Sequence, residues 1–165
     1  MNPIRSALLA LLAFGPAAAF AQPLSDADIL NKIHSIDRNE IAAAELARSK
    51  SSDEQVKKFA RAMMRDHAKA DAQVAELAKK KGIALDEAKP SADPLADMSG
   101  VDFDRGYANK MVKGHEEALA FLAQAEVQTS DAEVKKLVEK LQPAVAHHKK
   151  MAEKMEAKLG ASDTP

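Results

Sequence analysis

Glu40, His67, His115 and His148 are four titratable residues that each interrupt an otherwise apolar helical stripe. Three imidazoles and one carboxylate are a ligand set for zinc or iron, and imidazole also suits copper. The second stripe reads Val56, Phe59, Met63, His67, Ala70, Val74, Leu77, in steps of three and four. The first is Ile29, Ile33, Ile36, Glu40, Ala43, Ala47, and the third is Tyr107, Met111, His115, Ala118, Leu122, Ala125. The fourth is Val134, Leu137, Leu141, Val145, His148, Met151, Met155, Leu159. Each interruption falls within about three residues of its helix midpoint, roughly 4.5 Å along the axis. If the four helices pack together, the four polar side chains meet in one layer.

That layer admits two chemistries. Coordination of one transition-metal ion (copper, zinc or iron) offsets the cost of burying Glu40 among apolar side chains. A closed hydrogen-bond network, in which neutral histidines donate to Glu40 and to one another, sets helix register without binding anything. A second layer is formed by Met63 and Met111, one turn before their histidines, and by Met151, just after His148. Thioethers beside imidazoles suit copper(I), although methionine is also an ordinary core filler. Asp66 adjoins His67 and Glu116 adjoins His115, but sequence neighbours on a helix point about 100° apart. These acids are outer partners or surface charges. His34 and His147 lie off the stripes and are expected in solvent.

The elements that must position this layer are helices. Aromatic residues are 4% of the chain, and no stretch alternates with period two for long enough to make a barrel strand. The expected fold class is all-α, a ferritin-like four-helix bundle with a long connection between helices two and three. Ser25 with Asp28, Ser52 with Gln55, and Ser130 with Glu133 have capping-box spacing, while Gly82 and Gly160 read as stops. The third helix is expected to begin near Asp102, after Ser99 and Gly100. Connections near Ser49 to Ser52 and at Thr129, Ser130 are short, so helices one and two are antiparallel neighbours, as are three and four. Residues 83–100 contain Pro90 and Pro94 and can reach about 60 Å at ~3.3 Å each. A helix over residues 53–81 is only about 40 Å long at 1.5 Å per residue. The connection can therefore cross the whole bundle, giving up-down-down-up order, but it does not require it. Pro143 inside helix four frees the carbonyl of Glu139 and is expected to kink the helix ahead of His148.

Residues 1–21 carry Arg5, a short apolar run, a Gly15, Pro16 break and Ala19, Phe20, Ala21 before Gln22. This is the pattern of a secretory signal peptide cleaved between Ala21 and Gln22, with an apolar run too short to span a bilayer. The expected location is the periplasm or the exterior. The remaining 144 residues suit one helical-bundle domain, and the expected mature chain has no transmembrane segment. No cysteine is present, which excludes disulfides and thiol chemistry. With 24 basic and 25 acidic residues mixed along the chain, nothing points to nucleic acid. No serine or threonine has a histidine placed to activate it, and no glycine-rich phosphate loop occurs. No catalytic residue is assigned, and no protein partner is identified.

Several of these residues together carry a resemblance. Val56, Lys57, Phe59, Ala60, Met63, Asp66 and His67 are followed by Phe103, Asp104, Tyr107, Met111 and His115, then by Pro143, His148, Met151 and Ala152. This pattern resembles an exported bacterial family of unknown function whose members are often labelled outer membrane proteins. The resemblance runs over residues 26–159. It implies a ferritin-like four-helix bundle and periplasmic export, and it implies no established activity. Gly114 stands where that family usually has an acidic residue before the third-helix histidine. The residues three before His67, His115 and His148 are Met64, Val112 and Val145, so the E-x-x-H pairs of di-iron ferritins are missing. The run His147, His148, Lys149, Lys150, Met151, Ala152 also looks like part of exported copper-handling helical proteins.

Overall fold

The computed structural model describes residues 23–87, 89–90 and 93–161. The expected leader and its cleavage point lie outside the described residues. Four α-helices form the bundle: α1 (Asp26–Lys50), α2 (Glu54–Lys81), α3 (Gly100–Gln128) and α4 (Ala132–Ala161), with a 3-10 turn at Pro94–Asp97 before α3.

Local chemistry sets the helix ends. Ser25 and Asp28 make the reciprocal capping box expected at the start of α1. At α2 and α4 the serines are displaced by the aspartates that follow them. Asp53 accepts from the backbone N–H groups of Gln55 and Val56, and Asp131 from those of Glu133 and Val134. A carboxylate reaches two orphan donors at once and carries a charge that favours the positive end of the helix, so it outcompetes a hydroxyl one residue earlier. Gly82 closes α2 in the left-handed conformation at φ 67°, as its position after three lysines predicts. Gly160 does not stop α4, which continues through it to Ala161. Helix α3 begins two residues ahead of Asp102, and α4 runs without a break through Pro143.

The two apolar clusters reveal the order of the helices. One contains Ala44 and Ala47 from the end of α1, Val56 and Phe59 from the start of α2, Phe103 and Tyr107 from the start of α3, and Met155 and Leu159 from the end of α4. The other joins Ile29 and Leu30, Val74 and Ala78, Leu122 and Ala125, and Val134 and Leu137. Helices α2 and α3 therefore run the same way, while α1 and α4 run opposite to them. This is up-down-down-up order: two antiparallel hairpins joined by a connection that returns along the bundle. Near Gly82, Lys81 pairs with Asp131 at 2.5 Å. At the far end Lys50 Nζ donates to the Met98 carbonyl at 3.0 Å.

Tyr107 sits between Phe59, edge-on at 6.1 Å, and Phe103, stacked at 6.2 Å. Beside it, Leu95 of the 3-10 turn packs against Gly106, where an added Cβ would lie 2.7 Å from Leu95 Cδ2. Gly106→Ala gains about 1 kcal/mol of helix propensity but must displace a core leucine, an overpacking cost of about 1–3 kcal/mol. The expected result is net destabilisation, read as a lower urea midpoint. A raised midpoint would show that the turn is loosely docked.

Candidate metal centre

The four interruptions are all buried. Relative exposure is 9% for Glu40, 5% for His67, 1% for His115 and 4% for His148. They lie between the two apolar clusters and line one cavity of about 310 Å³. The three imidazoles form a nearly equilateral triangle, with ring centroids 5.8, 5.4 and 5.6 Å apart. One nitrogen from each ring lies within 4.8 Å of the other two. Glu40 shares the cavity but is not in that close group.

Each imidazole is held by one nitrogen and leaves the other without a partner. His115 Nδ1 donates to the Met111 carbonyl one turn earlier at 2.7 Å. His148 Nε2 donates to Asp66 Oδ2 at 3.1 Å. His67 Nδ1 is 2.7 Å from Asp37 Oδ1, and donation from Nδ1 leaves the Nε2 lone pair free. His67 Nε2, His115 Nε2 and His148 Nδ1 are buried with no hydrogen-bond partner. Holding one ring nitrogen with a carboxylate or carbonyl is how proteins fix the tautomer and orientation of a ligating histidine.

Asp66 therefore bonds across the helix pair to His148 and not to its neighbour His67, and Arg65 holds both of its oxygens, at 2.9 and 3.0 Å. Sequence reasoning missed Asp37. It is 3% exposed, and a stripe shifted by one position, Leu30, Ile33, Asp37, Glu40, Ala44, Ala47, would have included it. Ile36, on the expected stripe, is only half-buried. Of the outlying histidines, His147 is exposed as expected. His34 differs: it is half-buried and pairs with Asp71 at 2.5 Å, because α1 packs along α2 at that level.

Met63 and Met111 are fully buried in the Tyr107 cluster, and Met151 packs against the same cluster half-buried. All three thioethers are on one side of the histidine layer, the arrangement that follows from α2 and α3 running parallel. Gly114 gives Glu40 its room, since a Cβ there would lie 3.2 Å from Glu40 Oε1.

Burial favours the uncharged form of Asp37, Glu40 and the three histidines. Burial pushes Asp37 up to about 8, with repulsion from Asp71 adding and His34 opposing. Burial also raises Glu40 to about 7, opposed by Lys110 and reinforced by Asp37 and Asp93. His67 is pushed down to about 4 by burial, against the nearby Asp66 charge. His115 falls to about 4 for the same cause, despite its bond to Met111. His148 is lowered by burial, partly offset by Asp66. A neutral imidazole with an unpartnered lone pair is the form in which histidine binds a metal.

The profile of a domain of unknown function, DUF4142, matches residues 12–155. The chain belongs to the DUF4142 family. No curated protein matches this DUF4142 chain in sequence. Among solved structures, CopM in its Cu(II)-bound form is similar with a TM-score of 0.71 at 17% identity, covering 83% of this chain and 99% of CopM. The Cu(I)-bound form of CopM gives a TM-score of 0.70 at 20% identity, covering 82% and 97%. A DUF305 fragment from Deinococcus radiodurans gives 0.71 at 14% identity, covering 85% and 99%. At these identities the likeness is one of fold: the DUF4142 chain shares its bundle with CopM and the DUF305 fragment. Among the described residues, no helix is long and apolar enough to cross a membrane.

Proposed function

We propose that this protein is an exported metal-binding protein that holds one transition-metal ion through His67, His115 and His148, with copper preferred over zinc and iron. The observation that carries this reading is a trio of buried imidazoles that line one cavity, each with an unpartnered ring nitrogen and with one nitrogen of each ring within 4.8 Å of the other two. A register-setting hydrogen-bond network would pair these atoms, because an unsatisfied buried acceptor costs about 1–3 kcal/mol. The residues present fit an ion: Asp37, the Met111 carbonyl and Asp66 orient the three rings, and a bound ion supplies the charge acceptor that their lone pairs lack. Glu40 is the carboxylate of the set: it lines the same cavity as the histidines, lies against Gly114 and feels the charge of Lys110.

The preference for copper rests on Met63, Met111 and Met151 beside the imidazoles, since thioethers favour copper(I) over harder ions. The fold shared with a protein solved in Cu(I)- and Cu(II)-bound forms points the same way. Export, read from the leader pattern, would place the centre in an oxidising compartment.

Mature protein offered copper(I), zinc or ferrous iron separately, then desalted, should retain one copper per chain by elemental mass spectrometry. Zinc and iron should be retained less. No retained ion under any condition would overturn the reading.

A further inference from the structure

The histidine layer has unlike neighbours along the bundle axis. On the side of Met63 and Met111 the core is filled by Phe59 and Tyr107. On the other side three helices present alanine: Ala70 three residues after His67, Ala118 three after His115, and Ala144 four before His148. Small side chains at one level leave space, and this is the cavity of about 310 Å³. Leu122 and Leu141 form its apolar end, and the histidines form its polar floor. It opens between α2 and α4, where Lys140 donates to Gln73 across the mouth and Lys69 stands beside them.

Taking the metal reading above as its basis, we propose that this cavity is a chamber for a small neutral molecule with an apolar body and one aromatic nitrogen donor. The donor completes the coordination of the ion held by the three histidines. The floor is built for this: three imidazoles more than nine-tenths buried, each with an unpartnered nitrogen, line the chamber. The volume is about twice the ~150 Å³ that accommodates benzene, which suits two linked rings. Asp37 and Glu40, which line the chamber beside the histidines, disfavour an anion, and the aliphatic walls offer nothing to offset the desolvation of a charge. The same walls favour an apolar body, and an sp2 nitrogen is a donor that copper accepts as readily as histidine.

The test uses the full mature chain loaded with copper(II), its metal content measured before and after each titration. The probes are imidazole and 4-phenylimidazole, followed by isothermal titration calorimetry and by the copper electron paramagnetic resonance spectrum. 4-Phenylimidazole is expected to bind at least ten-fold tighter than imidazole and to shift the copper spectrum without removing the ion. Ala118→Leu fills the chamber from α3, and Ala144→Phe narrows its mouth at an exposed position where folding is not at stake. Both variants should keep one copper and bind imidazole while losing the ten-fold preference. If copper stays bound but the two probes bind equally or not at all, the chamber proposal is overturned and the metal reading stands. If the wild-type chain retains no copper, both fall together.

Discussion

His115→Ala is expected to abolish metal retention. Where the wild-type chain keeps one copper after desalting, the variant should keep less than a tenth of that. The reason is geometric: His115 supplies one of three nitrogens within 4.8 Å of one another, and only three rings are in the group. The loss should also appear in stability. An ion present at about 1,000 times its dissociation constant stabilises the folded state by about 4 kcal/mol. In a chain of this size that raises Tm by about 10 °C. The wild type should show this rise on loading and His115→Ala should show none. Far-ultraviolet circular dichroism separates lost ligation from lost folding, since truncating a fully buried ring also carries a cavity cost. Glu40→Gln grades the carboxylate's part: a ten- to hundred-fold loss of affinity marks it as a supporting partner, and complete loss marks it as a ligand. Stoichiometric copper in His115→Ala would overturn the histidine assignment.

The second large effect is a stability maximum near pH 6.5 in the metal-free protein. Two sets of groups oppose each other. The three imidazoles have folded pKa values below the ordinary 6.5, so the unfolded chain binds their protons first as pH falls. Their contribution is present above pH 6.5 and is lost as pH drops below it, toward about 4 for His67 and His115. Asp37 and Glu40 have folded values raised to about 8 and about 7, so the folded chain holds protons that the unfolded chain has released. Their contribution is present at low pH and is lost as pH rises through 7 and 8.

Between about pH 4.5 and 6.5, the unfolded chain's protons on His67 and His115 balance the folded chain's on Asp37 and Glu40, and the lowered His148 tips the difference toward the unfolded chain. Stability should then rise with pH, by no more than about 1.4 kcal/mol per pH unit, the value of one proton. Above pH 6.5 only the carboxyls differ, and stability should fall. Urea midpoints measured in chelator from pH 4.5 to 8.5 test the sign on both sides. Asp37→Asn should steepen the acid limb and flatten the alkaline one. A midpoint that climbs steadily to pH 8.5 would show that Asp37 and Glu40 are ionised in the folded chain.

The sequence determined the helices and most of the centre, and the reason is periodicity. His67, His115 and His148 sit on stripes whose other members are apolar, so the rotation that buries Met63, Met111 or Met155 also buries the histidine. Gly82 after three lysines could hardly be read other than as a stop. In contrast, α1 carries two possible stripes one position apart, and local spacing cannot choose between them. Packing against α2 turned the helix so that Asp37 faces inward with Glu40, and Asp37 thereby became the partner of His67. Similarly, Asp66 looked like a neighbour of His67, but it holds His148, eighty-two residues away, because side chains meet by helix face and not by chain order. At the α2 and α4 starts, Ser52 and Asp53, and Ser130 and Asp131, offer competing caps, and only the path of the incoming chain decides which oxygen reaches the free N–H groups.

The direction of the third helix was also beyond local reasoning. A connection long enough to cross the bundle permits two topologies, and the apolar faces of the two hairpins select one of them by gathering Val56 and Tyr107 into one cluster at one end and Val74 and Leu122 into another at the other. That choice puts the three thioethers on one side of the histidines. It also brings Ala70, Ala118 and Ala144 to one level and opens the chamber on the opposite side. Residue types and spacing determined which side chains enter the core, because each helix must bury its apolar face. Only the tertiary structure decided which of them face one another, because that depends on the direction, rotation and register of helices far apart in the chain.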